Sequence, residues 1–301
     1  MQGDAAAAEL SAVLVGAGIY CTQSWSLALD WLQLAAELGS AQARGALGVL
    51  CADPELGARA VANGRADLWR RLRENVDIAA LLTVPASRTI HADPLIRVHE
   101  RFADPRICGW LIARARSRLA PALVYNPEAK CLEHRPERTN TSAGFTLRDV
   151  DLVQIVLQAR IAEAVGVPFR NFESPFVLHY APGQAFNDHY DFVDPSTPNY
   201  EQEVARNGQR IVTFLIYLND DYEDGSTSFS RLKLSHKGRA GDGFAFVNAL
   251  PDGSADVRTL HAGRPPSAGE KWVFSQFIRD RAIVPGADTQ RPADSRPSPK
   301  P

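Results

Sequence analysis

The sequence has no surplus charge of either sign. Its 33 basic side chains face 35 acidic ones, a formal net charge of −2. That removes the electrostatic case for nucleic acid or an anionic membrane as main partner. No apolar run approaches the ~20 residues needed to span a bilayer. There are four cysteines, at 21, 51, 108 and 131, and no two are close enough for a CxxC metal or redox motif. They read as scattered reduced thiols and predict a cytoplasmic protein. The first Lys or Arg is Arg44, so the start lacks the basic region of a secretory signal. Apolar and charged residues are present in ordinary measure, 45% and 23% of the 301. A sizeable core can therefore form, and wholesale disorder is excluded.

Residues 5–83 read as helices. Leu27, Trp31, Leu34 and Leu38 recur at helical spacing and predict an apolar face. Gly39 stops that helix and Ser40 caps the next, on which Ala43, Leu47 and Leu50 follow one face. Asp53 with Pro54, and then the Leu68, Leu72 and Val76 series, mark two more helices. Residues 31–48 resemble one Sel-type, tetratricopeptide-like repeat. Such helices either cap a neighbouring domain or dock a protein partner. Residues 84–103 read as a linker running into a strand at 95–98. Asp104 and Pro105 start a helix with Ile107, Leu111 and Leu119 on its apolar side. Residues 147–165 form another, with Leu152, Ile155, Ala159 and Ala162 on one face and Gly166 at its end.

From residue 175 the period changes from helical to two. Strands are predicted at 176–180, 186–191, 210–218, 227–230, 243–248, 257–261 and 271–279. Gly, Pro and Asp turns separate them, the pattern of a sandwich or jelly roll. The expected domains are a helical region over 1–84, a catalytic domain over 85–283, and a disordered Pro-rich tail over 284–301.

Pro182 and Gly183 suit the centre of a type II turn, so the chain should reverse there. On the returning strand His189 and Asp191 are two residues apart and leave the same face. An imidazole and a carboxylate so placed can hold two adjacent positions of an octahedral metal. A further His completes the two-His-one-carboxylate set of non-haem Fe(II) sites. The pattern His-x-Asp also occurs at His91 and Asp93, but Pro94 follows and no alternating strand surrounds it, so that copy reads as a turn. His99, His134, His179 and His236 read as surface or structural. His261 ends a strand-like piece, and ten residues later Lys271 opens an apolar strand. Only five lysines stand against 28 arginines, and a lysine buried there needs an anionic partner.

Taken together, these residues resemble the 2-oxoglutarate-dependent Fe(II) dioxygenases, and more narrowly their prolyl 4-hydroxylase branch. The matching residues are Tyr180 and Pro182 to Gln184, His189 and Asp191, and the stretch from Gly208 through Thr213 and Tyr217 to Asp220. They continue through Gly225 to Phe229, Gly241 to Phe246, His261, Lys271, Trp272 and Arg279. The likeness covers roughly 95–282. It departs at Asp224 and Ser226, where many members show Gly-Gly-Glu-Thr, and at Phe277, where Trp is common.

The resemblance implies an α+β protein whose centre is a double-stranded β-helix, a distorted jelly roll with flanking helices, preceded by a small all-α region. It implies His189, Asp191 and His261 as Fe(II) ligands. Lys271 would be the cation for the far carboxylate of 2-oxoglutarate, with Tyr180 and Thr213 adding hydroxyl hydrogen bonds. Tyr217 shares a strand face with Thr213. The cofactors implied are Fe(2+), 2-oxoglutarate, O2 and L-ascorbate (vitamin C). The product is a hydroxylated C–H bond with succinate and CO2, most simply on a peptidyl proline. A free amino acid or natural-product intermediate is the alternative small-molecule substrate, and a protein-interaction scaffold is the alternative outside enzymes. Asp191 occupies the position that a halogenase leaves open for chloride. The polar segment 192–209 reads as a lid, and the loop 138–142 as a second wall of the substrate rim.

Overall fold

A computed structural model of the chain describes residues 2–63, 66–126, 131–195 and 200–283. The expected tail 284–301 lies outside the described residues. The chain forms two compact units. One comprises Met1–Val84 with Leu147–Phe169, the other Pro85–Thr146 with Arg170–Pro301. This differs from the sequence expectation, which placed the helix after 147 in the catalytic domain.

The first unit is helical. Its elements are α1 (Gln2–Ala17), α2 (Trp25–Glu37), α3 (Ala41–Leu50), α4 (Pro54–Asn63), α5 (Ala66–Glu74) and α6 (Ile78–Leu82). Side chains cap the helix starts: Ser24 accepts from Leu27 N, Ser40 from Ala43 N and Asp77 from Ala80 N. Small residues line the buried faces, with Ala28, Ala35 and Ala36 on α2 and Ala43 and Ala46 on α3. Helices can then approach closely. A Cβ on Gly57 of α4 would lie 2.7 Å from the Gly48 carbonyl of α3.

The apolar stripe predicted on α2 does not face the core. Leu29 and Leu32 are buried with the alanines, while Leu27 and Leu34 are 46% and 38% exposed. Both faces of α2 carry leucine, and the alanine-bearing one packs because it lets the partner come nearer.

The second unit opens with β1 (Ser87–His91), β2 (Ile96–His99) and α7 (Pro105–Arg116), then β3 (Ala120–Pro121), β4 (Val124–Asn126), β5 (Cys131–Glu133) and β6 (Thr141–Gly144). Helix α8 (Leu152–Val165) then belongs to the first unit. An Asp151–Gln154 capping box starts it, and Leu152 to Gln158 are all buried rather than one stripe of it. The chain returns through β7 (Phe176–Tyr180), β8 (Phe186–His189), α9 (Tyr200–Asn207), β9 (Arg210–Tyr217), β10 (Glu223–Asp224), β11 (Thr227–Phe229), β12 (Leu234–His236) and β13 (Gly243–Val247). It ends on β14 (His261–Gly263), β15 (Pro266–Ala268) and β16 (Lys271–Arg279).

Eight strands form one antiparallel sheet in the order β1-β2-β13-β9-β16-β7-β6-β3, and four form another, β12-β11-β14-β8. This is the expected double-stranded β-helix. Phe229 of the small sheet packs with Val98, Leu215, Phe244, Phe246 and Val273 of the large one. Each such side chain contributes about 1.5–3 kcal/mol by leaving water.

Three expectations change. The segment 87–91 is a strand, not linker, and pairs with β2. The expected strand at 257–261 is a 3-10 turn at Val257–Thr259, and only His261 enters a strand. The segment 192–209 contains α9, a regular element the sequence reading did not foresee; residues 196–199 lie outside the described ones.

Candidate metal centre and its cavity

The turn at Pro182 and Gly183 forms as expected. Gly183 has φ +80°, and Gln184 N donates to Ala181 O at 2.9 Å. It returns the chain as β8, which ends at His189, so Asp191 lies just beyond the strand. Antiparallel pairing of β8 with β14 sets His261 directly opposite His189. Seventy-two residues of sequence separation thus collapse into one cross-strand pair.

His189, Asp191 and His261 offer ligand atoms that all lie within 4.8 Å of one another. His189 Nε2 is 3.5 Å from Asp191 Oδ1, and His261 Nε2 is 3.5 Å from Asp191 Oδ2. The other nitrogen of each ring meets a backbone carbonyl: His189 Nδ1 and Asn187 O at 2.8 Å, His261 Nδ1 and Thr259 O at 3.0 Å. A carbonyl only accepts, so both Nδ1 atoms carry the proton. Both Nε2 lone pairs therefore turn toward the carboxylate. This is how proteins prepare imidazoles for a metal.

Electrostatics agree with that preparation. Burial alone would raise the Asp191 pKa, but His261, His189 and the Thr213 hydroxyl hold it well below the usual carboxylate range. Burial pushes His261 down to about 4 against the pull of Asp191, so its ring is neutral near pH 7. A carboxylate and two imidazole nitrogens are the donor set an Fe(II) ion takes.

Beside the three lies a cavity of about 410 Å³, bounded also by Leu123, Arg138, Tyr180, Phe186, Arg210 and Lys271. Lys271 is buried at the head of β16, in register with Tyr180 of β7. Its ammonium lies 4.9 Å from the Tyr180 ring, and no carboxylate among the described residues pairs with it. Burial, with Lys237 adding repulsion, lowers its pKa to about 7. A buried cation without an anion fits a cavity whose ligand brings the negative charge. Burial raises Tyr180 to about 12, so its hydroxyl stays protonated.

Thr213 and Tyr217 are both buried on β9. Neither lines the cavity. The Thr213 hydroxyl donates to Asp191 Oδ2 at 2.7 Å. The Tyr217 hydroxyl sits 2.9 Å from Thr227 Oγ1 and 3.2 Å from the His236 carbonyl. The second His-x-Asp is only in part the expected turn: His91 ends strand β1, paired with Ile96, and the turn begins after it. His91 Nδ1 meets the Pro94 carbonyl, and Asp93 pairs with Arg258 at 2.8 Å.

Arg138 and Ser142, from the loop expected at the rim, line the cavity, and other residues there had no role in the sequence reading. Arg138 lies 4.3 Å over the Phe186 ring, which stacks on His189. Arg210 lies 4.1 Å over Phe277 and is gripped through two nitrogens by the buried Glu173, at 2.7 and 2.8 Å. Glu173 also takes Arg279 at 2.6 Å, and Arg279 reaches Glu203 of α9 at 3.2 Å. Gln209 closes the base of the 192–209 segment, accepting from Val193 N and donating to Val193 O. Arg210 heads an apolar strand just as Lys271 does, so the same signal was available for it. Nothing in the local pattern marks Glu173.

Residues 175–279 match the 2OG-Fe(II) oxygenase superfamily. Prolyl 4-hydroxylase 1 of Arabidopsis thaliana is 32% identical over 205 residues, 63% of this chain and 70% of the plant protein. A candidate prolyl 4-hydroxylase of Acanthamoeba polyphaga mimivirus is 38% identical over 122 residues, 40% of this chain. The chain spans half of that viral protein's length. Among solved structures, the viral collagen prolyl hydroxylase of Paramecium Bursaria Chlorella virus-1, in its 2OG complex, superposes with a TM-score of 0.47 at 26% identity. It covers 63% of this chain and 96% of the viral one.

Proposed function

The chain belongs to the 2OG-Fe(II) oxygenase superfamily, with prolyl 4-hydroxylases among its relatives, and from that premise we propose that it is a dioxygenase hydroxylating a prolyl residue of a peptide or protein. The observation that carries the chemistry is the joint presence of the two-imidazole, one-carboxylate cluster and an unpaired buried lysine at one cavity.

In this proposal His189, Asp191 and His261 hold Fe(II), which supplies the redox chemistry joining O2 activation to the decarboxylation of 2-oxoglutarate to succinate. The protein residues do the rest. The carbonyls of Asn187 and Thr259 fix the tautomers of the two imidazoles. Lys271 binds the far carboxylate of 2-oxoglutarate, and Tyr180, protonated and in register beside it, donates a hydrogen bond to the same ligand. Phe186 and Leu123 at the cavity wall exclude water from the reacting centre. L-Ascorbate, keeping iron reduced, and a cytoplasmic setting belong to the same proposal.

The peptide substrate is supported by the relatives' names. A Pro-containing segment is extended beforehand and loses little entropy on binding. The helical unit, whether or not its α2–α3 pair is of Sel type, takes the part of recognition rather than chemistry, since every cavity residue lies in the other unit. The test is mass spectrometry of Pro-rich peptides and of free L-proline and other amino acids, incubated with enzyme, Fe(II), 2-oxoglutarate and ascorbate. A gain of one oxygen atom on the peptide is expected. Oxygen on a free amino acid alone overturns the substrate and leaves the iron chemistry standing.

A further inference from the structure

Thr213, expected to face the cosubstrate, is instead wholly buried behind the metal cluster, with Asn248 behind it. Asn248 Nδ2 donates to Thr213 Oγ1 at 2.9 Å, and Thr213 Oγ1 donates to Asp191 Oδ2 at 2.7 Å. The direction of this chain is forced. An ionised carboxylate only accepts, so the single Thr213 hydroxyl hydrogen goes to Asp191. The Thr213 oxygen is then left as an acceptor, which only the amide nitrogen of Asn248 can serve.

The cost of that arrangement is visible. Asn248 Oδ1 is buried without a hydrogen-bond partner among the described residues, an acceptor that folded proteins rarely leave unmet. Flipping the amide would set its oxygen against a hydroxyl with no hydrogen left to give. Strand pairing supplies the rigidity. Thr213 sits opposite Phe246 in the β9–β13 register, and Asn248 follows β13 with its own N–H on the Ile211 carbonyl at 2.8 Å.

On the strength of the iron assignment above, we propose that Asn248 and Thr213 are positioning residues that hold Asp191 Oδ2 in a hydrogen bond and so leave Oδ1 as the oxygen presented to the metal. The consequence is chemical. Two imidazoles and one carboxylate oxygen leave three positions of an octahedral ion. A bound Fe(II) would need those positions for its cosubstrates. A carboxylate free to turn both oxygens inward would compete for one of them. The relay removes that freedom from the side opposite the cavity.

The experiment uses the full chain, stripped of metal and titrated with Co(II), with affinity read by calorimetry and the ligand field by the visible spectrum, before and after 2-oxoglutarate. Thr213→Val should bind Co(II) about 10–100-fold more weakly, the range for loss of a partner behind a metal ligand. Its spectrum should differ from wild type before the cosubstrate is added. Thr213→Ser, which keeps the hydroxyl, should restore both. Asn248→Ala should cause a smaller loss in the wild-type background and none in the Thr213→Val background, because it acts through Thr213. Wild-type affinity and spectrum in Thr213→Val overturn the proposal, and so does an Asn248 effect that persists without the Thr213 hydroxyl. If Thr213→Val does not fold, Asn248→Ala alone decides, by keeping or losing wild-type Co(II) affinity. Wild-type protein that binds no Co(II) or Fe(II) at all overturns the iron assignment itself, whereas wild-type binding that the variants share overturns only the relay.

Discussion

The two units bury different things. The helical unit fills its interior mainly with apolar side chains, sets Ser24, Ser40, Asp77 and Asp151 at helix ends, and buries the uncharged amides of Gln154 and Gln158 along α8. The β unit buries Glu173, Asp191, His261, Lys271 and Arg279. Most of these charges answer one another, as Glu173 answers Arg210 and Arg279. Lys271 is answered by nothing in the described chain. A desolvated, unpaired cation destabilises a fold, so it persists where a ligand completes it. The buried ion pairs and the unpaired Lys271 set the unit that holds the His-Asp-His cluster apart from the helical one.

The sharpest way to break that comparison is to remove the buried anion at its centre. Asp191→Ala leaves two imidazoles and no charge to balance the ion, so bound iron and succinate formation should both be lost, read by metal analysis and by 2-oxoglutarate turnover. Full turnover in that variant would place the metal elsewhere. Next comes the buried cation. Removing one partner of a buried ion pair costs about 3–5 kcal/mol. Lys271→Ala should therefore raise the 2-oxoglutarate requirement by roughly two or more orders of magnitude. An unchanged requirement would move that role to Arg138 or Arg210.

The same lysine predicts a pH signature of lesser size. Folding lowers its pKa from 10.5 to about 7, and a bound carboxylate favours the charged form. Affinity for 2-oxoglutarate should be level below about pH 7 and fall up to tenfold per unit above it, measured by titration across pH 6–9. The unfolded chain holds this proton up to its ordinary value. Between about 7 and 10.5 the unfolded state thus binds more protons, and this group's contribution to stability rises with pH. Lys271→Met should remove both slopes. The smallest effect belongs to the other unit. Gly57→Ala drives a Cβ toward the Gly48 carbonyl, an overpacking worth about 1–3 kcal/mol. It should lower the stability of the helical unit and leave Co(II) affinity unchanged. A shift in metal binding there would show the two units to be coupled.

Much of the site was legible because its signals are local. Pro182 and Gly183 announce a reversal, His189 and Asp191 lie two residues apart, and Lys271 is a lone cation opening an apolar strand. The double-stranded β-helix followed from strand periodicity together with the family likeness. What stayed hidden depends on where distant segments meet. Thr213 carries a hydroxyl on an apolar strand, and nothing nearby tells whether it faces the cavity or the back of Asp191. Asn248 reads as the polar end of a strand, and Glu173 as an ordinary acidic residue before one. The choice of packed face on α2 was equally hidden, since leucines mark both sides and the alanines decide by close approach.

The sequence by itself determined the helix boundaries set by Ser40, Asp104 and Gly166, the change of period at 175, and the residue types able to bind a metal. Each depends on interactions within a few positions along the chain, where caps, turns and side-chain alternation act. The tertiary structure alone decided that His261 stands across from His189, that α8 joins the N-terminal helices, and that the Thr213 hydroxyl meets Asp191. Those outcomes follow from strand register and from burial shared between segments tens of residues apart, and a one-residue slip in register would reverse the face of every side chain involved.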